Sequence, residues 1–211
     1  LSPAAVARDV RRVLAKIGAA TRAEAAAYAQ RRGLVAALPT GAPAPHGLRI
    51  ILFTDMEGST ELFQRLGDEA ARGLLRQHDA IIRDCLQRCG GAELKHTGDG
   101  MMAAFDAVAP ATACAVGIQR ALGEHNARHP ERTIKVRIGL NAGAPIAEEG
   151  QLFGTAVNAA ARICAQARAG QILVAESVQR LAADAGQGFV DRGLVALRGF
   201  AQRFRLYEVP W

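Results

Sequence analysis

The chain has 211 residues, half of them hydrophobic, and a formal net charge of +6. That length suits one domain with a small appendage, and the composition excludes a disordered or collagen-like chain. No uncharged apolar run approaches about 18 residues, so we expect no transmembrane helix. The four cysteines fit no zinc-ribbon or redox spacing, which favours free thiols in a protein of the reducing cytoplasm.

Basic residues are concentrated near the N-terminus. Residues 1–40 contain seven of the 26 Lys and Arg residues but only two of the 20 Asp and Glu residues. Helix-start signals at Ser2-Pro3 and Thr21 predict a helical hairpin over residues 1–35. Basic helical segments are typical of nucleic-acid binding. Because Leu1 is not an initiator methionine, we also expect the chain to be part of a longer protein.

Residues 36–47 contain three Pro and two Gly and are the predicted linker to a larger domain over residues 48–211. In the larger domain, strands and helices alternate, and two strands share a tight hairpin. This favours an α+β, ferredoxin-like (βαββαβ) sandwich with a mostly antiparallel sheet over a doubly wound parallel sheet. The predicted strands are 49–54, 93–96, 101–105, 134–142, 171–174, 189–198 and 203–209, and the predicted helices are 61–89 (with a break near Gly67), 109–129, 157–166 and 176–183.

Two aspartates stand at predicted strand ends. Asp55 ends a buried strand, and Asp99 lies at the tip of the tight hairpin. Carboxylates in such places suit hard divalent cations such as Mg²⁺. Gly58, Ser59 and Thr60 follow at a helix start, where backbone N–H groups and hydroxyls can hold a phosphate. Each feature alone is ordinary, since Asp-Gly is a frequent hairpin signal.

A third polar pair lies on a predicted helix. Asn158 and Arg162 are four residues apart and therefore share one helix face. Arg can stabilise charge that develops on a phosphate, and Asn can orient a sugar or phosphate oxygen. Taken alone, the pair also fits the solvent face of an amphipathic helix.

Together these runs resemble the class III adenylyl/guanylyl cyclase catalytic domain, from about residue 48 to residue 209. The resemblance rests on FTDMEGST, LKHTGDGMMAAF, VRIGLNAG, LFGTAVNAAARI and LRGFAQRFRLYEV, in the family's order and spacing. It implies that Asp55 and Asp99 bind two Mg²⁺ or Mn²⁺ ions, with the Met56 carbonyl as a further ligand. It also implies that Asn158 and Arg162 stabilise the transition state.

The resemblance assigns substrate-binding roles to three further residues. Lys95 matches the lysine that reads the adenine ring. Arg198 lies near the family's phosphate-binding lysine, although a strand-edge arginine fits it equally well. Gln151 takes the place of the second adenine reader, usually Asp, Thr or Ser, and its amide can serve adenine N6 or guanine O6. Because Lys95 can donate to N1 of adenine, the resemblance favours an adenylate cyclase acting on ATP, with a guanylate cyclase as the alternative.

The resemblance also implies the reaction and the assembly. One ion acidifies the ribose 3′-OH, both hold the triphosphate, and the 3′ oxygen attacks the α-phosphorus in line as pyrophosphate leaves. Family members build each site between two chains. This chain carries both sets of residues, so a homodimer with two shared sites is expected. Strand alternation points His96 away from Lys95, and we expect no acid or base role for it.

Residues 1–35 resemble the C-terminal half of a LuxR-type helix-turn-helix, which implies contact with DNA phosphates. The alternative is a helical hairpin that aids dimerisation or packs on the cyclase domain. For the whole chain, a further alternative is a catalytically weak, nucleotide-binding module that regulates an attached DNA-binding segment. The presence of all four residues of the two predicted pairs, Asp55, Asp99, Asn158 and Arg162, argues against it.

Overall fold

A computed structural model describes residues 47–148, 151–182 and 188–211, with Gln151 described by its backbone alone. These residues belong to the unit Gly41–Trp211. The predicted N-terminal helical hairpin, its resemblance to a helix-turn-helix and the predicted linker up to residue 46 lie outside the described residues. Among the helices that are described, none combines the length and hydropathy needed to cross a bilayer.

The first part of the domain forms the predicted βαββαβ unit. Gly67, with φ of 76°, separates the first two helices, as the sequence predicted. The first of them begins two residues earlier than expected, at Ser59, with Gly58 as its N-cap. The elements are β1 (Arg49–Met56), α1 (Ser59–Leu66), α2 (Asp68–Cys89), β2 (Ala92–His96), β3 (Gly100–Phe105), α3 (Val108–Arg128), a 3₁₀ turn (Pro130–Arg132), β4 (Val136–Gly143), β5 (Ile146–Glu148), β6 (Gln151–Phe153), α4 (Thr155–Gln166), β7 (Ile172–Ala175), α5 (Glu176–Leu181), β8 (Val190–Ala196) and β9 (Arg203–Glu208).

The main sheet has the strand order β2-β3-β1-β4-β7-β9-β8. Its neighbouring strands are antiparallel except for β4 and β7, which are parallel. The predicted mixed α+β fold with a mostly antiparallel sheet is therefore confirmed. Strands β5 and β6 form a separate hairpin that the sequence did not predict, because strands of three residues are too short to show an alternating pattern.

The two faces of the sheet carry different helices, and β1 shows how the sequence divides them. Ile50 and Leu52 belong to the large core beneath α2 and α3. Ile51 and Phe53 point the other way and pack with residues of α4. Because side chains alternate along a strand, Asp55 continues the series of Ile51 and Phe53 and lies on the α4 face.

Three cysteines, Cys85, Cys114 and Cys164, are buried as free thiols, and Cys89 is partly buried. Burial raises the pKa of the Cys164 thiol to about 12. Such thiols remain protonated at neutral pH and act as small apolar residues. The predicted free thiols of the core are therefore confirmed for the described residues.

Candidate active site

Asp55 and Asp99 lie at one end of the neighbouring strands β1 and β3. Asp55 on β1 is in register with Gly100 on β3, and Asp99 immediately precedes β3. The Met56 N–H donates to the carbonyl oxygen of Asp99 at 3.0 Å. The strands approach so closely here that a Cβ at Gly100 would lie 2.1 Å from the Thr54 carbonyl oxygen. Only glycine fits at position 100, and its absence of a side chain lets the two strands approach closely beside the two aspartates.

Each carboxylate has a side-chain partner. The guanidinium of Arg137 donates to Asp55 Oδ2 through Nε at 2.7 Å and Nη2 at 2.6 Å. The Ser59 hydroxyl donates to Asp99 Oδ2 at 2.6 Å. Arg137 was not among the predicted site residues. The alternation of side chains along β4 was the available signal for Arg137. It places Arg137 opposite Asp55 only when the pairing of β1 and β4 is known.

The donor set fits a divalent cation that arrives with a polyphosphate. No group of three or more His, Cys, Asp or Glu side chains suited to a metal occurs in the described residues. Asp55 and Asp99 therefore supply only part of a coordination shell. Mg²⁺ is commonly bound in this way, by one or two carboxylates with water and substrate phosphates completing the shell. Arg137, half-buried beside Asp55, adds a positive charge that also suits a phosphate.

The start of α1 lies next to these carboxylates. Gly58 precedes the helix with φ of 65° and accepts the N–H of Leu62 through its carbonyl oxygen. Thr60 is exposed in the first turn, whereas the hydroxyl of Ser59 already holds Asp99. The structure thus places Gly58, Ser59 and Thr60 at a helix N-terminus beside the paired aspartates. Their predicted role in phosphate binding stays a prediction.

A second polar group lies on α4 and the turn between β8 and β9. Asn158, Arg162 and Arg198 line one cleft of about 400 Å³. Asn158 and Arg162 are exposed on the outer face of α4, one helical turn apart. Arg198 reaches the same cleft from a turn in which Gly199 has φ of 89°. The sequence predicted a shared face for the first two, and the fold adds the third.

Lys95 lies on the edge strand β2 and is exposed. It is in register with Met102, which packs on the α4 face, so Lys95 shares that face. Strand β6, which begins with Gln151, lies near β2 at the same edge of the sheet. His96 points to the opposite face and contacts Asp79 on α2, as alternation predicted. The base-reading roles of Lys95 and Gln151 stay predictions.

The two groups do not meet in one chain. Within the described ranges, no hydrogen bond or ion pair joins the Asp55–Asp99 pair to Asn158, Arg162 or Arg198. The aspartates lie at the end of the sheet, whereas the second group faces outward from α4. In the described part of the chain, the aspartates and the α4 cleft are therefore two separate groups.

Residues 44–209 match the family model of the adenylate and guanylate cyclase catalytic domain. The match covers more than half of the chain, and the chain belongs to this family. A solved structure of an adenylate/guanylate cyclase/hydrolase from Silicibacter pomeroyi is 34% identical, with a TM-score of 0.68, over 78% of this chain and 97% of that one. The solved guanylyl cyclase Cya2 is 25% identical, with a TM-score of 0.65, over 77% of this chain and 91% of that one.

The curated relatives are much longer proteins. An adenylate cyclase from Podospora anserina is 31% identical, in an alignment that covers 63% of this chain and 7% of that protein. The chain spans between 7% and 41% of the length of the first curated relatives that it matches. The similarity therefore concerns the catalytic domain that these proteins share.

Proposed function

We propose that this chain is an adenylate cyclase that converts ATP into 3′,5′-cyclic AMP and pyrophosphate. One observation carries the proposal: a member of the cyclase family pairs Asp55 with Asp99 and gathers Asn158, Arg162 and Arg198 in a separate cleft. The first group offers oxygen ligands, and the second offers donors for phosphate and ribose. Both kinds of group are needed to cyclise a nucleoside triphosphate.

Asp55, Asp99 and the Met56 carbonyl hold two Mg²⁺ or Mn²⁺ ions in this proposal. Bound there, the ions supply acidification of the ribose 3′ hydroxyl and neutralisation of the triphosphate charge. Ser59 keeps the Asp99 carboxylate turned toward the site through its 2.6 Å hydrogen bond. The backbone N–H groups at Gly58 and Thr60 face the phosphates from the start of α1.

The second group acts on the reacting phosphate. Arg162 donates to a non-bridging oxygen of the α-phosphate, where negative charge grows as the 3′ oxygen attacks. Asn158, one turn away, orients the ribose. Arg198 meets the outer phosphates, which depart as pyrophosphate. All three side chains are exposed to solvent in one chain, so substrate can reach them without opening the core.

We infer that two protomers complete each site. The aspartate pair and the α4 cleft lack any direct bond in the described part of one chain, so a second copy supplies the missing half. Asp55 and Asp99 come from one protomer, and Lys95, Asn158 and Arg162 come from its partner. Twofold symmetry then gives two equal sites in a homodimer.

Mixing two single variants tests the proposal. Asp55→Ala and Asn158→Ala should each abolish cyclic AMP formation from ATP with Mg²⁺ or Mn²⁺. In an equal mixture with free subunit exchange, half of the dimers are heterodimers, and each has one intact site of two. About a quarter of the wild-type turnover should therefore return.

A matched mixture provides the control. Asp55→Ala with Asp99→Ala places both lesions in the same half, so neither site of the heterodimer is intact and no turnover should return. If two differently tagged chains form heterodimers and the Asp55→Ala and Asn158→Ala mixture stays inactive, the shared site is refuted. If the wild-type chain cyclises neither ATP nor GTP, the enzymatic proposal itself is refuted.

The choice of ATP rests on Lys95. Its ammonium can only donate, and N1 of adenine accepts, whereas N1 of guanine carries a hydrogen. A guanylate cyclase is the second candidate, because the amide of Gln151 also suits guanine O6 and a solved relative is named a guanylyl cyclase. Measuring kcat/KM for both nucleotides decides between them. We expect the larger value for ATP, and a larger value for GTP would replace the assignment.

A further inference from the structure

The hairpin that carries Asp99 is tied to α2 by a chain of two hydrogen bonds. The ring nitrogen Nε2 of His96, at the end of β2, lies 3.0 Å from Oδ1 of Asp79 on α2. The other ring nitrogen, Nδ1, accepts the N–H of Gly98 at 3.2 Å. The chain of bonds thus runs from a core helix to the residue immediately before Asp99.

The proton positions in this pair of hydrogen bonds follow from which groups can only donate. Because the Gly98 N–H can only donate, Nδ1 of His96 carries no proton, and Nε2 donates its hydrogen to Asp79. Burial raises the pKa of Asp79, but hydrogen bonds from His96 and His78 lower it overall, so Asp79 is an ionised acceptor at neutral pH. Nδ1 of the fully buried His78 contacts the same Oδ1 at 3.0 Å. The carboxylate of Asp79 is therefore fixed from two sides.

The turn at the tip of the hairpin is closed by the Thr97 N–H, which donates to the carbonyl oxygen of Gly100 at 2.9 Å. Gly98 has φ of 97° and no atom within 4 Å of a Cβ built on it, so nothing packs where a side chain would lie. Glycine also has the widest choice of backbone conformations. Asp99 has its own restraints in the Met56 N–H and the Ser59 hydroxyl. In the part of the chain that the structure describes, His96 Nδ1 is the partner that fixes Gly98.

We propose that His96, oriented by Asp79, is a positioning residue that fixes Gly98 and thereby the metal-binding conformation of Asp99. The inference rests on the proposed function, because that function assigns Asp99 to the metal. Groups that orient a ligand through hydrogen bonds affect metal affinity, typically by about 10-fold or more when removed. Loss of His96 should therefore weaken metal binding.

Two substitutions at His96 separate positioning from simple packing of β2 on α2. In His96→Asn the amide oxygen takes the place of Nδ1, keeps the acceptor for Gly98 and does not reach Asp79. In His96→Gln the amide nitrogen takes the place of Nε2, reaches Asp79 and leaves Gly98 without its acceptor. If His96 acts by positioning Gly98, His96→Asn should bind metal more tightly than His96→Gln. If His96 acts only by packing β2 on α2, the metal affinity of His96→Gln should be closer to that of the wild type.

Mn²⁺ binding to the full chain without nucleotide, followed by the paramagnetic resonance of free Mn²⁺, gives a measure independent of turnover. We expect the Kd to rise by about 10-fold in His96→Gln and His96→Ala, and by clearly less in His96→Asn. In turnover assays, the Mg²⁺ concentration for half-maximal rate should rise more in His96→Gln and His96→Ala than in His96→Asn. The kcat at saturating Mg²⁺ should stay near the wild-type value in all three. Equal Mn²⁺ affinities in wild type and His96→Gln would overturn the proposal, and so would weaker binding in the Asn variant than in the Gln variant.

Two controls separate this inference from its premise. Glu93→Gln breaks the Arg83–Glu93 ion pair, 2.8 and 2.9 Å long, which also joins α2 to β2, and it should leave Mn²⁺ affinity unchanged. Asp99→Ala should lose most Mn²⁺ binding, and if it does not, the metal assignment fails. If Asp99→Ala weakens binding but His96→Gln does not, only the positioning role fails. Should His96→Gln not fold, Asp79→Asn replaces it, and an unchanged Mn²⁺ affinity there counts against the proposal.

Discussion

Replacing Gly139 by Ala should displace α4 from the sheet. Gly139 lies on β4, opposite Phe53 of β1, and α4 crosses directly over it. A Cβ at this position would lie 2.2 Å from the backbone nitrogen of Cys164, 2.5 Å from its Cα and 2.7 Å from its Cβ. Ordinary carbon contacts are about 3.5–4.0 Å. Since the clashing atoms are mostly backbone, a side-chain rotation cannot relieve them, and α4 has to move by on the order of 1 Å.

The expected cost has two parts. Overpacking of a filled interior typically destabilises a protein by about 1–3 kcal/mol. In addition, α4 carries Asn158 and Arg162, and a displacement of about 1 Å in groups that position a substrate can cost on the order of 100-fold in rate. Gly139→Ala should therefore lower both the free energy of unfolding and kcat/KM for ATP.

Urea unfolding and steady-state turnover measure the two parts separately. Gly123→Ala is the control, because Gly123 lies within α3 with nothing within 4 Å of a new Cβ. That variant should gain about 0.5–1 kcal/mol of stability, since Ala suits a helix better than Gly, and it should keep wild-type turnover. If Gly139→Ala is destabilised but retains wild-type kcat/KM, the position of α4 does not set activity. If its stability is also unchanged, the close approach is wrong.

The remaining predictions concern pH and base selectivity. Burial lowers the pKa of His78 from its ordinary value of 6.5. As the pH falls, the unfolded chain therefore takes up a proton at this histidine before the folded chain does. The free energy of unfolding should then decrease as the pH drops below about 6.5. The fall should be shallower in His78→Gln than in the wild type, as measured by urea unfolding at several pH values, and equal slopes in the two chains would contradict the argument. Gln151→Asp should raise the ratio of kcat/KM for ATP over GTP, because Asp can only accept and suits the N6 amine of adenine, whereas a lower ratio would count against the assignment of position 151.

The sequence predicted the order of strands and helices because the main strands show alternation and the main helices have clear ends. Gly67 marked the break between α1 and α2, and the tight turn at Gly98 marked the β2–β3 hairpin. The β5–β6 hairpin escaped prediction because strands of three residues carry almost no periodic signal. What could be predicted thus depended on the length of each element.

The site was predicted as separate runs, and their geometry needed the fold. Arg137 is one alternating residue of a strand, and only the register of β1 and β4 shows that it faces Asp55. The link from Asp79 to His96 spans 17 residues and depends on how α2 packs against β2. Contacts of this kind arise from tertiary packing, so local sequence patterns do not contain them.

The pairing of Asp55 with Asp99 has an electrostatic consequence in the protein without metal. Two neighbouring carboxylates repel each other. The fold offsets this repulsion by giving one a guanidinium and the other a hydroxyl, from Arg137 and Ser59. These contacts hold both side chains in place at the end of the sheet. In the proposed site, a cation held by Asp55 would share in neutralising that carboxylate, and the guanidinium of Arg137 would then be available to phosphates that accompany the metal.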